Sequence, residues 1–132
     1  MKSFNLKVVT PDGLCFDSDI ESLLIRTDDG DVEFLAGHID YMASLGTGRA
    51  RIKEGGNDRY ASVSGGFVTV SGGEVKLVAI TFEFREQIDL DRAIAARDDA
   101  KEAISSAKDD KALALAKAKL QRALARIDVA EM

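Results

Sequence analysis

The sequence predicts an α+β fold in which an N-terminal all-β sandwich or barrel is followed by a C-terminal antiparallel two-helix hairpin. All 11 glycines lie between Gly13 and Gly73, and the single proline is Pro11. Residues 87–132 contain no glycine, proline or aromatic residue. Turn residues collect where short strands reverse and are excluded from long helices. We therefore predict two domains, residues 1–85 and residues 86–132.

Short apolar segments in the first domain are predicted strands. They are rich in leucine or β-branched residues and include residues 4–9, 20–25 and 74–78. The turns that separate the strands contain Gly, Asp, Asn or Ser and lie at residues 11–13, 28–30, 55–58 and 71–73. Turns that recur about every eight to twelve residues are typical of a sandwich or barrel.

Two helices are predicted in the second domain. The polar cluster at residues 105–110 is suited to end one helix and to cap the next through an aspartate side chain. So short a connection makes the helices antiparallel. Their apolar stripes are rich in alanine and comprise Leu90, Ala93, Ile94, Ala100 and Ile104 in the first helix, and Leu113, Ala116, Leu120, Ala123, Leu124, Ile127 and Ala130 in the second. Because alanine buries little area, at about 25 cal/mol per Å², we expect the hairpin to be marginally stable alone.

Composition limits the classes of function. The chain has 132 residues, a net charge of -5 and a sequence pI of about 4.9, with 45% apolar and 31% charged residues. This balance is typical of a soluble globular protein. Nucleic acid is not an expected partner, because proteins that bind the phosphate backbone need an excess of Lys and Arg. No apolar run is long enough to span a bilayer and no signal peptide is evident, so we expect a cytosolic or peripheral protein.

The single cysteine and the single histidine leave little scope for nucleophilic or metal chemistry. Cys15 has no second thiol with which to form a disulfide or share a metal, and we interpret it as a small buried apolar side chain. A nucleophilic role would need a base, and His38 is the one histidine. The sequence therefore predicts no catalytic residue and no metal site.

Several local patterns resemble one family, the epsilon subunit of bacterial F-type ATP synthase, which is called delta in mitochondria. Residues 4–13 resemble its opening strand and turn, and residues 29–38 resemble its segment of the form Gly-Glu-x-Gly-x-x-x-Gly-His. Residues 63–67, followed by residues 75–79, resemble its Ser-Gly-Gly β-hairpin and last strands. The order and spacing of these patterns make the resemblance specific, and it covers essentially the whole chain.

The loop that ends in His38 differs from the family pattern. The family usually has glycine at the position of Glu33, proline at Ala36, and Ala-Pro at residues 39–40. The resemblance implies that the face bearing Asp31 and His38 contacts the rotor ring and the gamma subunit. The alternative is that Asp31 is an exposed turn acid and His38 a histidine that caps a loop.

Two segments resemble the ATP-binding motifs of bacterial epsilon subunits, namely residues 88–93 (Ile-Asp-Leu-Asp-Arg-Ala) and residues 122–126 (Arg-Ala-Leu-Ala-Arg). The resemblance also implies that Glu83 contacts the base, and that Ile88 and Ala93 give apolar contact to the ring or pack the junction. No Gly-x-x-x-x-Gly-Lys-Ser/Thr pattern occurs, so bound ATP would be a signal and not a substrate.

Helix geometry supports a meeting of the charged residues in these two segments. If the hairpin turns near residue 107, Asp89 and Arg92 lie level with Arg122 and Arg126. Arg92 then stands in a first helical turn whose free backbone N–H groups favour an anion, and three guanidiniums could hold a triphosphate. On chemistry alone there is an alternative, in which Asp89 is an N-cap and the arginines complement the dipole of the second helix. Some nucleotide-binding relatives have an arginine where this chain has Asp99.

The resemblance implies a non-catalytic central-stalk subunit of F-type ATP synthase and not an enzyme. The sandwich would hold the gamma subunit and the rotor ring. The hairpin would alternate between a form folded on the sandwich and an extended form that reaches the catalytic head and inhibits ATP hydrolysis. ATP would be a regulatory ligand that favours the folded form, and no cofactor is required. The protein would lie at the cytoplasmic face of the bacterial cell membrane, attached only through the complex.

Two other functions are compatible with the residues. A small β-sandwich enzyme could use the abundant carboxylates, although no acidic pair stands out in the sequence. A free-standing ATP sensor would keep the nucleotide site without any synthase partner. Capture by the gamma subunit and rotor ring, or turnover by the isolated chain, would separate these functions from the stalk subunit.

Overall fold

Two five-stranded sheets and two helices make up the part of the chain that the computed structural model describes, residues 2–132. The strands are β1 (Phe4–Thr10), β2 (Gly13–Ile20), β3 (Ser22–Thr27), β4 (Gly30–Leu35), β5 (Tyr41–Ser44), β6 (Gly48–Glu54), β7 (Asn57–Ser64), β8 (Phe67–Ser71), β9 (Glu74–Val78) and β10 (Thr81–Phe84). The helices are α1 (Leu90–Ser106) and α2 (Asp110–Ala130). The predicted fold, a β-sandwich followed by a helical hairpin, is confirmed.

The two sheets have different strand orders. Sheet A runs β2-β1-β9-β8-β5 and sheet B runs β10-β7-β6-β3-β4. The neighbouring strands are antiparallel except for β1 and β9, which are parallel. Sheet B places β10, the last strand before the helices, at one edge, so the chain leaves the sandwich beside β7.

The core lies between the sheets and is formed by alternate residues along the strands, namely those that face inward. In β1, for example, Phe4, Leu6 and Val8 are buried while Lys7 is exposed. The largest side chains that are completely shielded from solvent include Phe34, Leu23 and Ile52. Burying one such side chain contributes about 1.5–3 kcal/mol, so the sandwich has a substantial core of its own.

The predicted strand at residues 20–25 is wrong in one respect, because the chain bends at Glu21. Ile20 ends β2 in sheet A, and Ser22 begins β3 in sheet B. The corner is fixed by two hydrogen bonds: the Glu21 N–H donates to the Lys53 carbonyl oxygen at 2.7 Å, and the Glu21 carboxylate accepts from the Gly56 N–H at 2.8 Å. Two apolar strands therefore meet where the sequence shows one apolar run.

The predicted Ser-Gly-Gly β-hairpin is also wrong, because the chain crosses between the sheets at Gly65 and Gly66. Strand β7 belongs to sheet B and β8 to sheet A. Gly66 has a φ of 88°, and a Cβ atom added there would lie 1.7 Å from the Val78 carbonyl oxygen. Only glycine fits such a close approach at positive φ.

Aspartate side chains start both helices, as the sequence predicts. Asp89 Oδ1 accepts a hydrogen bond from the Arg92 N–H at 3.1 Å, and Asp109 Oδ1 accepts from the Ala112 N–H at 2.7 Å. A short 3₁₀ turn, Arg85–Gln87, connects β10 to α1. Over residues 2–132, no helix combines the length and apolar character needed to cross a membrane.

The seam between the helices is formed by small side chains. Ala93 and Ala100 of α1 and Ala116 and Ala123 of α2 are at most 4% exposed. Leu124, which the sequence assigns to this seam, is 45% exposed, and that assignment is wrong. Neighbouring residues point about 100° apart around an α-helix, so with Ala123 buried in the seam Leu124 is turned towards solvent.

Cys15 is exposed, and its predicted burial is wrong. The residue lies on β2, an edge strand of sheet A on which most residues are exposed. Its Sγ donates to the Val8 carbonyl oxygen at 3.5 Å. Partial burial of the thiol raises the pKa of Cys15, and the hydrogen bond with the backbone opposes this rise.

Candidate ligand-binding cleft between the sandwich and the hairpin

A cleft of about 200 Å³ lies where the last strand, the 3₁₀ turn and both helices meet. The residues that line it are Glu83, Gln87, Asp89, Arg92, Ala93, Ala96 and Arg126. These residues come from the end of the sandwich, from the first turns of α1 and from the last turns of α2. The cleft is therefore built from both the sandwich and the hairpin.

An ion pair closes one side of this cleft. Arg126 Nε lies 2.6 Å from Glu83 Oε1, and the two side chains are 29% and 34% exposed. Glu83 projects from the outer face of sheet B because its neighbour in β10, Phe84, is buried in the core. Partly exposed pairs of this kind contribute about 1 kcal/mol or less. The pair connects α2 directly to the sandwich.

The start of α1 offers fewer free backbone donors than the sequence suggests. The Asp89 side chain occupies the Arg92 N–H, and the Ala93 N–H donates to the Asp89 carbonyl oxygen at 3.0 Å. Asp91 adds a second carboxylate in the first turn. Attraction of an anion to this cleft must therefore come mainly from the guanidinium groups.

The three arginines of the predicted site lie along two adjoining clefts and do not converge on one point. Arg92 and Arg126 line the first cleft, whereas Arg122 lines a second cleft of about 420 Å³ between the helices. Arg126 and Ala96 line both clefts. Within residues 2–132, neither Arg92 nor Arg122 forms an ion pair with a carboxylate. Two unpaired guanidiniums are thus available to an anion.

The second cleft also contains a negative charge. Asp99 lines it together with Lys119 and the two arginines of α2. A carboxylate among these cations reduces the attraction for phosphate by like-charge repulsion. In the part of the chain that the structure describes, no three His, Cys, Asp or Glu residues are grouped in a way that could hold a metal ion.

The apolar residues of the predicted site have different positions. Ala93 is buried and lines the first cleft, but Ile88 does not line it. Ile88 is half-buried at the end of the 3₁₀ turn, where its N–H donates to the Arg85 carbonyl oxygen at 3.2 Å. Its position suits packing of the junction.

Gln87 also lines the first cleft and was not identified from the sequence. Its Oε1 accepts a hydrogen bond from the Phe84 N–H at 2.9 Å. A glutamine three residues after the last residue of a strand can cap the following turn, and this spacing was the available signal.

Asp31 and His38 lie towards opposite ends of β4. Asp31 Oδ1 is 2.6 Å from Arg26 Nε, and this hydrogen bond, with the charge of Asp31, raises the pKa of Arg26. His38 follows the strand, with Nδ1 2.7 Å from the Ile39 carbonyl oxygen and its ring 4.8 Å from that of Phe34.

Comparison with known proteins identifies the family. The model of the ATP synthase delta/epsilon chain beta-sandwich domain matches residues 3–85, and the model of its long alpha-helix domain matches residues 86–131. This chain belongs to the ATP synthase delta/epsilon chain family. The family suggested by the sequence motifs is therefore confirmed.

Curated members of the delta/epsilon family match almost the whole chain. The ATP synthase epsilon chain of Bacillus subtilis (strain 168) is 45% identical over 130 residues, which is 98% of each chain. The ATP synthase epsilon chain of Bacillus velezensis is 41% identical over 130 residues, again 98% of each chain.

Solved structures share the delta/epsilon fold at low sequence identity. A chain of the Euglena gracilis mitochondrial ATP synthase superposes with a TM-score of 0.83 at 22% identity, covering 98% of this chain and 82% of that one. A chain of the Tetrahymena thermophila mitochondrial ATP synthase central stalk and c-ring gives a TM-score of 0.64 at 11% identity, covering 98% and 97%.

Proposed function

We propose that this chain is a non-catalytic central-stalk subunit of F-type ATP synthase whose folded hairpin is stabilised by ATP bound in the cleft between the sandwich and the hairpin. The sandwich binds the gamma subunit and the rotor ring. The hairpin, when it leaves the sandwich, reaches the catalytic head and inhibits ATP hydrolysis. The protein thereby lies at the cytoplasmic face of the bacterial cell membrane, held there by the complex. The observation that carries the nucleotide part is the cleft with its Glu83–Arg126 ion pair.

Exposed apolar side chains flank His38 in the sequence and support a protein contact of this segment. Leu35, Ile39 and Met42 are 49%, 78% and 72% exposed. Large apolar residues grouped on a surface often mark a protein–protein interface. Strand β5, which contains Met42, is also an edge strand of sheet A. A partner that pairs with the segment at residues 39–42 would cover Ile39 and Met42.

The attachment of the hairpin suits a reversible switch. Helix α2 packs on β6 and β7, and its last turns place Val129 completely out of solvent. The ion pairs are Glu83–Arg126 and a longer pair between Arg49 Nη1 and Asp128 Oδ2 at 3.8 Å, and Arg49 Nη1 also donates to Met132 Sδ at 3.6 Å. Both pairs are partly exposed, so each contributes little. The docked hairpin is then held mainly by the apolar packing of α2, and we infer that a bound ligand can shift its balance with a released form.

A nucleotide would favour the docked hairpin because the cleft needs both domains. The sandwich supplies Glu83 and α2 supplies Arg126, so release of α2 separates the two sides of the site. A ligand that binds one state alone stabilises that state by about 2.7 kcal/mol at a concentration of 100 times its Kd. The unpaired Arg92 and Arg122 would hold the phosphates.

Calorimetric titration with ATP tests the nucleotide site. We expect binding in the parent chain and about tenfold weaker binding in Arg92→Ala, which loses a charged donor to phosphate. We expect similar weakening in Arg126→Ala, which loses the ion pair with Glu83 that closes the cleft. Arg97→Ala is the matched control, since Arg97 lies on α1 but pairs with Asp98 at 3.0 Å and does not line the first cleft. Absence of binding heat in the parent chain, or equal weakening in all three variants, would refute the site.

Capture of the chain by the gamma subunit and rotor ring tests the stalk assignment separately. We expect Ile39→Asp to weaken capture about tenfold or more, because a charge would enter an apolar interface. Leu14→Asp is the control, since Leu14 is 59% exposed on β2 at the opposite edge of sheet A. Equal capture of the two variants would contradict the proposed contact surface.

A further inference from the structure

The amide of Gln87 has a fixed orientation at the edge of the first cleft. Its Oε1 accepts the Phe84 N–H at 2.9 Å, and a backbone N–H can pair only with the oxygen end of the amide. The Nε2 amino group of Gln87 is therefore the end left for another partner. Over residues 2–132 this amino group has no hydrogen-bond acceptor. Gln87 thus provides the cleft with an oriented neutral donor.

Glu83 lines the same cleft and provides an acceptor. Its Oε1 is occupied by Arg126, while its Oε2 receives no hydrogen bond from any residue that the structure describes. A carboxylate oxygen accepts hydrogen bonds and does not donate them. Glu83 and Gln87 both belong to the segment that leaves the sandwich, whereas the unpaired cations Arg92 and Arg122 belong to the helices. One end of the site therefore offers a neutral donor, Gln87, and an acceptor, Glu83. The other end offers unpaired cations.

The donor of Gln87 and the acceptor of Glu83 together match one type of nucleobase edge. Adenine presents an amino donor next to a bare ring nitrogen that accepts. Its amino group can donate to Glu83 while the ring nitrogen accepts from Gln87. Hypoxanthine has the same ring system with the pattern reversed, a carbonyl acceptor next to a protonated ring nitrogen. In the same position its carbonyl would face the carboxylate of Glu83, and its N–H would face the amino group of Gln87.

We propose that Gln87 is a specificity-determining residue that selects an amino-substituted base, with adenine as the fitting purine, through its free amino group. The inference rests on the proposed nucleotide site and adds to it the residue that reads the base edge. The donor works because the Phe84 N–H holds the amide in one orientation, so no rotation is needed when the base arrives. The phosphates then extend from the base towards Arg92 and along the seam to Arg122.

The test compares ATP with ITP, the hypoxanthine nucleotide, by calorimetric titration of the full chain. Gln87→Glu keeps an oxygen that can accept from the Phe84 N–H and removes the amino donor, so the 3₁₀ turn keeps its cap. Gln121→Glu is the matched control, because it adds the same charge on α2 beside Arg122 but outside the first cleft. Tripolyphosphate, which has no base, measures how much of any weakening is due to the added charge alone.

We expect the parent chain and Gln121→Glu to bind ATP at least about fivefold more tightly than ITP. One hydrogen bond between base and protein accounts for a ratio of about this size. In Gln87→Glu this preference should disappear or reverse, while tripolyphosphate binding changes by the same factor in both variants. An unchanged preference in Gln87→Glu would overturn the role of Gln87 and leave the nucleotide site intact. Failure of the parent chain to bind either nucleotide would overturn both proposals.

Discussion

The two halves of the molecule bury very different side chains. The sandwich encloses large residues such as Phe34, Leu23 and Ile52, all shielded completely from solvent. The seam of the hairpin encloses mainly alanines, and Val129 is the one larger residue of α1 or α2 that is fully buried in the described chain. Burial of apolar area contributes about 25 cal/mol per Å², so the hairpin gains far less per residue. We therefore expect the sandwich to fold without the hairpin, and the hairpin to need a surface to pack against.

The difference also separates two roles. A strongly packed sandwich keeps its shape whatever the helices do, which suits a part that anchors partners. Under the proposed function, the weakly packed hairpin is the part that changes position in response to a ligand. The following substitutions test this contrast, beginning with the largest expected effect.

The same substitution should have unequal effects in the two halves. Leu23→Ala removes a side chain with no exposed surface and should lower the free energy of unfolding by about 3 kcal/mol. Leu124→Ala removes one that is 45% exposed and should cost under about 1 kcal/mol. Urea unfolding followed by circular dichroism measures both values. Similar losses would contradict the contrast between the two cores.

A larger side chain in the alanine seam should loosen the hairpin alone. Ala123 is 1% exposed, so Ala123→Leu forces α1 and α2 apart at a cost of about 2 kcal/mol. We expect faster amide hydrogen exchange in both helices and unchanged exchange in β1 and β9. Ala114→Leu, at an exposed position of α2, is the control and should leave all exchange rates unchanged. Faster exchange in the sandwich strands would show that the halves are coupled.

The smallest expected effect is a pH dependence at the junction. The backbone N–H of Glu86 and then the Arg59 guanidinium, 2.7 Å away, lower the pKa of the Glu86 carboxyl. A lowered folded-state pKa stabilises the fold above the unfolded-state value of about 4.3, and this stabilisation is lost as the pH falls through the folded-state pKa. At pH 7 we expect the unfolding midpoint of the parent chain to be higher than that of Glu86→Gln. This difference should disappear below about pH 4. A constant difference at all pH values would exclude Glu86 as the titrating group.

The sequence predicts the fold well where local patterns decide it. Glycine-containing turns delimit most strands, and the polar cluster at residues 105–110 correctly separates the helices. The corners at Glu21 and at residues 65–66 were missed because the sheet that a strand joins depends on pairing with distant strands. Local propensity contains no information about such pairing.

The candidate site was predictable only in part, because local patterns fix the direction of the two helices but not their rotation against each other. Antiparallel helices bring Arg92 and Arg126 to the same cleft, as expected. Arg122 lies one turn before Arg126 and faces the adjoining cleft, which depends on how the helices are rotated against each other. The proposed role of Gln87 depends on a hydrogen bond with Phe84 that the sequence alone does not predict.

The way in which the hairpin is connected to the sandwich has a mechanical consequence. Helix α1 is joined covalently through residues 85–89, whereas α2 adheres through its last turns. If those turns detach, both helices swing as one lever about that short linker. A helix of 17 residues is about 25 Å long, so the bend at residues 107–109 would travel farthest while the linker hardly moves. A probe attached at residue 108 would therefore report the swing with the greatest sensitivity.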